Sequence, residues 1–258
     1  SQGGGRAGAD PLGQILMRKV AIVQARFHSS RLPGKICLRL GEGTVLGEVL
    51  TRCAAIEGLD MVCCAVADDG LSEPVAAEAR RSGAAVHVGS AEDVLARHVG
   101  AARAMDADIV LRVTSDCPLI DAELAGEVIA SLVGTGADYA ANNMPAGFPH
   151  GLDCEAFTRE ALLRADNASH EKAQREHVTP WLRRAADVRR ASVQGPGGEL
   201  ARQRWTLDWP EDYLFLCAVF ERLGGRRPPW REVAELVARE PALLALNAGR
   251  VEKGRLPS

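Results

Sequence analysis

The sequence predicts an α/β fold built on a mostly parallel central sheet, and three observations predict it. Short apolar runs alternate with amphipathic stretches at helical spacing as far as residue 141. That alternation is the signature of strands joined by right-handed helical crossovers. The run at 61–67, MVCCAVA, is apolar throughout, as expected of a parallel strand covered on both faces. The two segments richest in reactive side chains, at 24–35 and 115–118, each follow such a run. Open α/β sheets bind ligands there, outside the carboxyl ends of their strands.

Residues 20–23, VAIV, are the first buried strand. Val45, Leu46, Val49, Leu50 and Cys53 make the apolar stripe of a helix over 44–56. Strand 61–67 ends at Asp68-Asp69-Gly70, and a helix over 71–82 leads to a third strand over 84–88. Ser90 is expected to cap the next helix, which carries Glu92 and Asp93 in its first turn and runs to 105. A fourth strand over 108–114, a helix over 121–132 and a short strand over 137–141 follow.

Beyond 142 the pattern loosens. Asn, Pro and Gly mark 142–151 as a loop. Residues 152–157 alternate, placing Asp153 and Glu155 on one face of a strand. Residues 159–181 are predicted mostly helical, and 188–193 and 203–207 as strands flanking the turn at 195–198. Pro210, Glu211 and Asp212 suit the first turn of a helix to 223, and 230–239 is a further helix. The organisation expected is a flexible arm over 1–17, a single domain over 18–245 with halves at 18–141 and 142–225, and a tail over 246–258.

The chain of 258 residues is 47% hydrophobic and 25% charged, with a formal charge of −3. That balance gives no general reason to expect nucleic-acid binding. No apolar run is long enough to span a membrane, and the start lacks the pattern of a signal peptide. Seven scattered cysteines without a CxxC pair argue against a disulfide framework or a zinc cluster, and for a cytoplasmic location.

Against the net negative charge, the stretch from Pro11 to Gly41 holds six Lys or Arg residues and no acid. Its loop carries Arg26, His28, Ser29, Ser30, Arg31 and Lys35. Guanidinium forks, an ammonium, hydroxyls and backbone N–H groups are what a polyphosphate needs, and Gly34 lets backbone approach an anion. A solvated surface loop is the plainer reading. The loop is not a Walker A motif, because Ile36 follows Gly34-Lys35 where that motif has Ser or Thr. Asp116 and Asp208 each end a strand, where each either holds a divalent metal or caps the helix that follows. Asp212 is the spare carboxylate. A polar set in the second half, His150, Asp153, Glu155, Lys172, Arg175, Glu176 and His177, would grip an acceptor. His177 reads either as a base or as a structural hydrogen bonder.

The segment QARFHSSRLPGK at 24–35 resembles the opening signature of cytidylyltransferases of the spore coat polysaccharide biosynthesis type, relatives of the CMP-sugar synthetases. The resemblance continues through GSAEDVLAR at 89–97, RVTSDCPLID at 112–121, GLDCE at 151–155, REHVTP at 175–180 and RWTLDWPED at 204–212. It implies a three-layer α/β/α, Rossmann-like nucleotide-diphospho-sugar transferase fold, with CTP as co-substrate and Mg²⁺ as cofactor. By position it implies Gln24, Ala25, Arg26, Ser30, Arg31 and Lys35 as ligands of the nucleotide, its triphosphate above all, with Ser90, Arg97 and Arg112 around the nucleoside. It implies Asp116 and Asp208 as metal carboxylates, Arg26 and Lys35 beside them in catalysis, and Asp153, Glu155 and His177 at the acceptor. Residues 18–141 would then bind the nucleotide and 142–225 the acceptor and a second subunit of a homodimer. His28 stands where such relatives usually have Gly.

The reaction implied is transfer of CMP from CTP to an acidic sugar, or to a phosphonate, with release of pyrophosphate. Two other readings stay open at this point. A nucleotide-sugar-dependent glycosyltransferase also uses a strand-end Asp, although Ser115-Asp116-Cys117 has one acid where DxD has two. A non-catalytic regulator would bind CTP without turnover.

Overall fold

The computed structural model describes residues 17–250. The expected arm, apart from Met17, and residues 251–258 of the expected tail lie outside the described residues. Strands β1 (Lys19–Ala25), β4 (Met61–Asp68), β5 (Ala85–Ser90), β6 (Ile109–Thr114), β7 (Tyr139–Ala141), β8 (Glu155–Thr158) and β9 (Arg190–Ser192) form one sheet in the order β5-β4-β1-β6-β8-β7-β9. Two short strands, β2 (Arg39–Leu40) and β3 (Gly43–Thr44), make a separate hairpin. All neighbours in the main sheet are parallel except across β8, which is antiparallel to both β6 and β7.

Among the described residues, eleven helices surround the sheet: α1 (Val45–Ala54), α2 (Glu73–Arg81), α3 (Val94–Ala104), α4 (Ala122–Thr135), α5 (Arg159–Ala168), α6 (Lys172–His177), α7 (Pro180–Arg184), α8 (Gly198–Ala201), α9 (Pro210–Leu223), α10 (Trp230–Arg239) and α11 (Ala242–Ala245). Alternation along β1 sends Ala21, Val23 and Ala25 into one buried cluster with α1, α2 and α4. Val20 and Ile22 enter a second with α3, α5 and α7. Burial on both faces explains why β1 and β4 read as unbroken apolar runs, and it yields the three-layer α/β/α arrangement. A third cluster joins Trp205, Leu207, Phe215, Leu216 and Trp230 to Leu40 and Leu124, and so seats the chain around Asp208 against the first half.

The chain passes from β1 outward to β4 and β5, then returns to lay β6 on the other side of β1. This is the point where strand order reverses, and the crevice lies outside the carboxyl ends there. Gln24 of β1 is in register with Thr114 of β6.

Four sequence expectations differ from the structure. Residues 159–181 form three helices: Ser169 ends α5 in an extended conformation, and Pro180 cannot continue α6. The expected strand at 203–207 is an extended segment with one isolated bridge, Arg204 to His150. Within the expected strand at 152–157, only the part from Glu155 onward pairs. Ser90 ends β5, and Asp93 caps α3 by accepting from the Ala96 N–H at 2.8 Å.

Candidate functional site: a basic loop facing two carboxylates

The loop after β1 is held from below. Phe27 packs against the core, its N–H donates to Ser72 Oγ at 3.1 Å, and its carbonyl accepts from Gly34 N–H at 3.2 Å. Gly34 has φ 67°, and a Cβ there would meet the Phe27 ring at 3.3 Å. Its glycine is therefore required by the turn, and Gly34 lies outside the cavity lining where an anion was expected to meet it. With Phe27 turned inward, His28, Ser29, Ser30 and Arg31 face a cavity of about 210 Å³. A single 3-10 turn over Lys35–Cys37, anchored by buried Ile36, directs Lys35 into the same space.

Asp116 and Asp208 reach that cavity because their backbones are tied together. The Asp116 carbonyl accepts from Leu207 N–H at 2.8 Å and from Thr206 Oγ1 at 3.0 Å. Gly151, at φ 118°, lets the next loop cross so closely that a Cβ would lie 2.6 Å from the Trp205 carbonyl carbon. Neither aspartate caps a helix. Asp121 caps α4 through Leu124 N–H at 2.8 Å, and Asp212 accepts from the N–H groups of Asp208 and Trp209 at 2.9 and 3.0 Å. That same Asp212 is wholly buried and also holds Arg204, so the spare carboxylate is structural.

Lys35 Nζ donates to Asp116 Oδ2 at 2.7 Å, Asp208 Oδ1 at 2.8 Å and the Leu207 carbonyl at 2.6 Å. All three ammonium protons are thus committed to protein acceptors. Burial alone would lower the Lys35 pKa, but the charges of Asp116 and Asp208 override it and raise it. Burial likewise pushes the Asp116 carboxyl up, and Lys35 overrides it, holding Asp116 at about 2. Asp208 is also lowered: burial and Asp116 oppose, and Lys35 and Arg204 prevail.

Around this centre the lining brings together Gln24, Ala25, Arg26, Ser30, Arg31, Lys35, Arg97, Arg112, Asp116, His177 and Asp208. Arg31 lies 3.4 Å from Asp208 and over the Trp209 ring at 5.2 Å. Arg97 is 2% exposed; burial and the nearby charge of Arg26 bring its pKa down to about 10. Three expected ligands lie elsewhere. Ser90 Oγ accepts from Asp93 N–H at 3.0 Å. Asp153 accepts from Gly151 N–H at 3.3 Å and lies near His150. Glu155 is buried behind Arg112, in contact with protein groups. Of the remaining polar set, Glu176 joins the lining, whereas Arg175 ties α6 to Asp93 and Asp166.

Arg204 escaped the sequence reading. It is 7% exposed and donates to Asp208 Oδ2 at 2.7 Å and Asp212 Oδ1 at 2.9 Å, so it orients the Asp208 carboxylate. An Arg inside the otherwise strand-like RWTL was the available signal.

A cluster of cations facing a close pair of carboxylates at the switch point of a parallel sheet suits a nucleotide phosphate and a cation. Specifically, the chain belongs to the cytidylyltransferase family, whose sequence profile matches residues 20–221. It is 28% identical over 239 residues to the uncharacterized protein MJ1063 of Methanocaldococcus jannaschii, covering 92% of this chain and 97% of that one. To the spore coat polysaccharide biosynthesis protein SpsF of Bacillus subtilis it is 29% identical over 212 residues, covering 80% and 87%. The structure superposes on a cytidylyltransferase from Leptospira borgpetersenii with a TM-score of 0.84 at 26% identity, covering 88% of this chain and 97% of that one. It shares the fold of a CMP:2-keto-3-deoxy-manno-octonic acid synthetase, with a TM-score of 0.61 at 16% identity over 80% and 99% of the two chains. Membership sets aside the glycosyltransferase reading. Among the described residues no helix is long and apolar enough to cross a membrane.

Proposed function

We propose that the protein transfers CMP from CTP to a hydroxyl of an acidic sugar. The acceptor hydroxyl gives up its proton to solvent as its oxygen bonds to the α-phosphorus, the bond from that phosphorus to the bridging oxygen breaks, and pyrophosphate leaves with the electron pair. The observation that carries this reading is the single ammonium of Lys35 within 2.8 Å of both Asp116 and Asp208, facing the loop with Arg26 and Arg31.

The residues present fit a magnesium ion. Lys35 is itself a cation between the two carboxylates, so they converge on one positively charged position. Both are hard oxygen donors, which Mg²⁺ prefers in ones or twos alongside phosphate oxygens and water. Asp116 and Asp208, which meet at the Lys35 ammonium, would be its protein ligands. When bound, the ion would supply charge stabilisation at the α-phosphate and would lower the pKa of the acceptor hydroxyl.

The chain's own side chains do the rest. Lys35 neutralises the carboxylate pair, and its side chain lines the cavity that would receive the phosphates. Arg26 and Arg31 take the charge of the leaving pyrophosphate. Gln24 and Arg112 line the wall beside Arg97, where the nucleoside would sit. His177 lines the same cavity and would meet the acceptor.

The 3-deoxy-manno-octulosonate cytidylyltransferase of Acinetobacter baumannii, 35% identical over 121 residues that cover 45% of this chain and 46% of that one, favours an acidic sugar over a phosphonate. A pyrophosphate-release screen with Mg²⁺, pairing CTP, ATP, UTP and GTP with sugar acids and phosphonates, tests this. Release with CTP and a sugar acid is expected. Release only with a phosphonate, or only with another nucleotide, contradicts the acceptor or the base assignment respectively.

A further inference from the structure

Glu155 is 2% exposed, yet it touches both sides of the site. Its Oε1 accepts from the Tyr139 hydroxyl, from Thr179 Oγ1 at 2.8 Å, and from Arg183 Nε and Nη2 at 3.0 and 2.8 Å. Its Oε2 accepts from Arg112. Arg112 in turn donates through Nε to Gln24 Oε1 at 2.9 Å, and both of these side chains line the cavity. Burial pushes the Glu155 carboxyl up, but Arg112 and Arg183 override it and hold it at about 2. The group is therefore a fixed negative charge between two guanidiniums.

Thr179 and Arg183 belong to the segment that follows His177. Between them and the imidazole is Val178, at φ 68° and ψ −53° and wholly buried. The Thr179 N–H donates back to the His177 carbonyl at 2.8 Å, closing a γ-turn of the rare, strained kind. A β-branched residue takes a positive φ only where its surroundings impose it. The surroundings here are the buried Val178 side chain and the two contacts that the next residues make with Glu155.

We propose that Glu155 is a positioning residue: its buried carboxylate fixes both the Arg112 guanidinium and the Val178 turn that presents Glu176 and His177 to the same cavity. The nucleotide side and the acceptor side are then set by one group, and loosening either loosens the other. This inference rests on the cavity being the CTP site.

The test uses Arg183→Met and Thr179→Val, which alter side chains outside the cavity lining, with Arg26→Ala as a control inside it. CTP affinity is measured by calorimetry and stability by thermal unfolding. Arg183→Met is expected to raise the CTP Kd about tenfold, the scale of one lost charge-assisted hydrogen bond, and Thr179→Val to raise it less. Adding Arg183→Met to Arg112→Met should raise the Kd no further, because both act through one guanidinium. Glu155→Gln should reproduce the Arg183→Met effect if it folds; if it does not, the Arg183 and Thr179 variants still decide. A lowered Tm with unchanged CTP affinity in Arg183→Met makes Glu155 merely structural and overturns the inference. Unchanged affinity in Arg26→Ala as well overturns the reading of the cavity itself.

Discussion

Lys35 is the residue on which the site's electrostatics turn. Its ammonium lets two partly buried carboxylates, 25% and 17% exposed at the side chain, stand side by side. Asp116 is held at about 2, below the ordinary value of about 4, so its contribution to stability is complete above about pH 4 and lost as pH falls through about 2. Lys35 is raised, so its contribution is complete below the ordinary value of about 10.4 and lost as pH rises past it. The trio therefore contributes evenly across neutral pH. Lys35→Met leaves Asp116 without its counter-cation, while Asp208 keeps Arg204 and Arg31, so burial and repulsion from Asp208 raise the Asp116 pKa. That variant should lose Tm relative to the parent as pH rises from about 4 to 7, and its KM for CTP should rise about tenfold or more. A parent–variant difference in Tm that does not change with pH contradicts this account of Lys35.

Among the elements, those that depend on local pattern were legible and those that depend on distant partners were not. Strand β1, the loop after it and the strand-end position of Asp116 follow from apolar runs and charge clustering. Whether Asp116 and Asp208 cap helices did not, because the answer lies with Asp121 and Asp212, which take the helix-terminal N–H groups instead. The alternation at 152–157 places Asp153 and Glu155 on one face and the resemblance puts Glu155 at the acceptor; in the structure Glu155 is buried in β8, and guanidiniums from β6 and α7 pair with its carboxylate. The break within 159–181 was signalled by Pro180, and the second break, at Ser169, has no such marker. Asp121 offers a test at this scale. It caps α4 and, through its other oxygen, accepts from Trp230 N–H at 2.7 Å, joining α4 to α10 while 2% exposed. Asp121→Ala is expected to destabilise the protein by about 2 kcal/mol, the sum of a lost cap and an unpaired buried N–H. Urea denaturation reads this directly, and a loss under about 0.5 kcal/mol, the level of an ordinary surface substitution, contradicts the two-ended role.

In the whole molecule, the parallel sheet and the third cluster of buried residues perform separate tasks. Reversal of strand order between β4 and β6 opens the crevice beside β1, and the basic loop fills its rim. The cluster around Trp205 and Phe215 carries Asp208 to that rim from the far end of the chain, where Arg204 and Asp212 orient it. Charge at the site is thus assembled from both halves, cations largely from the first and the second carboxylate from the last. The function proposed for this assembly is metal-dependent cytidylyl transfer. Pyrophosphate release from CTP and a sugar acid, followed with Mg²⁺ in the parent and in Asp116→Asn and Asp208→Asn, tests it most directly. Release by the parent is expected, with a fall of about 10²-fold or more in each variant and Tm showing both still folded. Turnover within about twofold of the parent in either variant, or CTP binding by the parent without any pyrophosphate release, contradicts it.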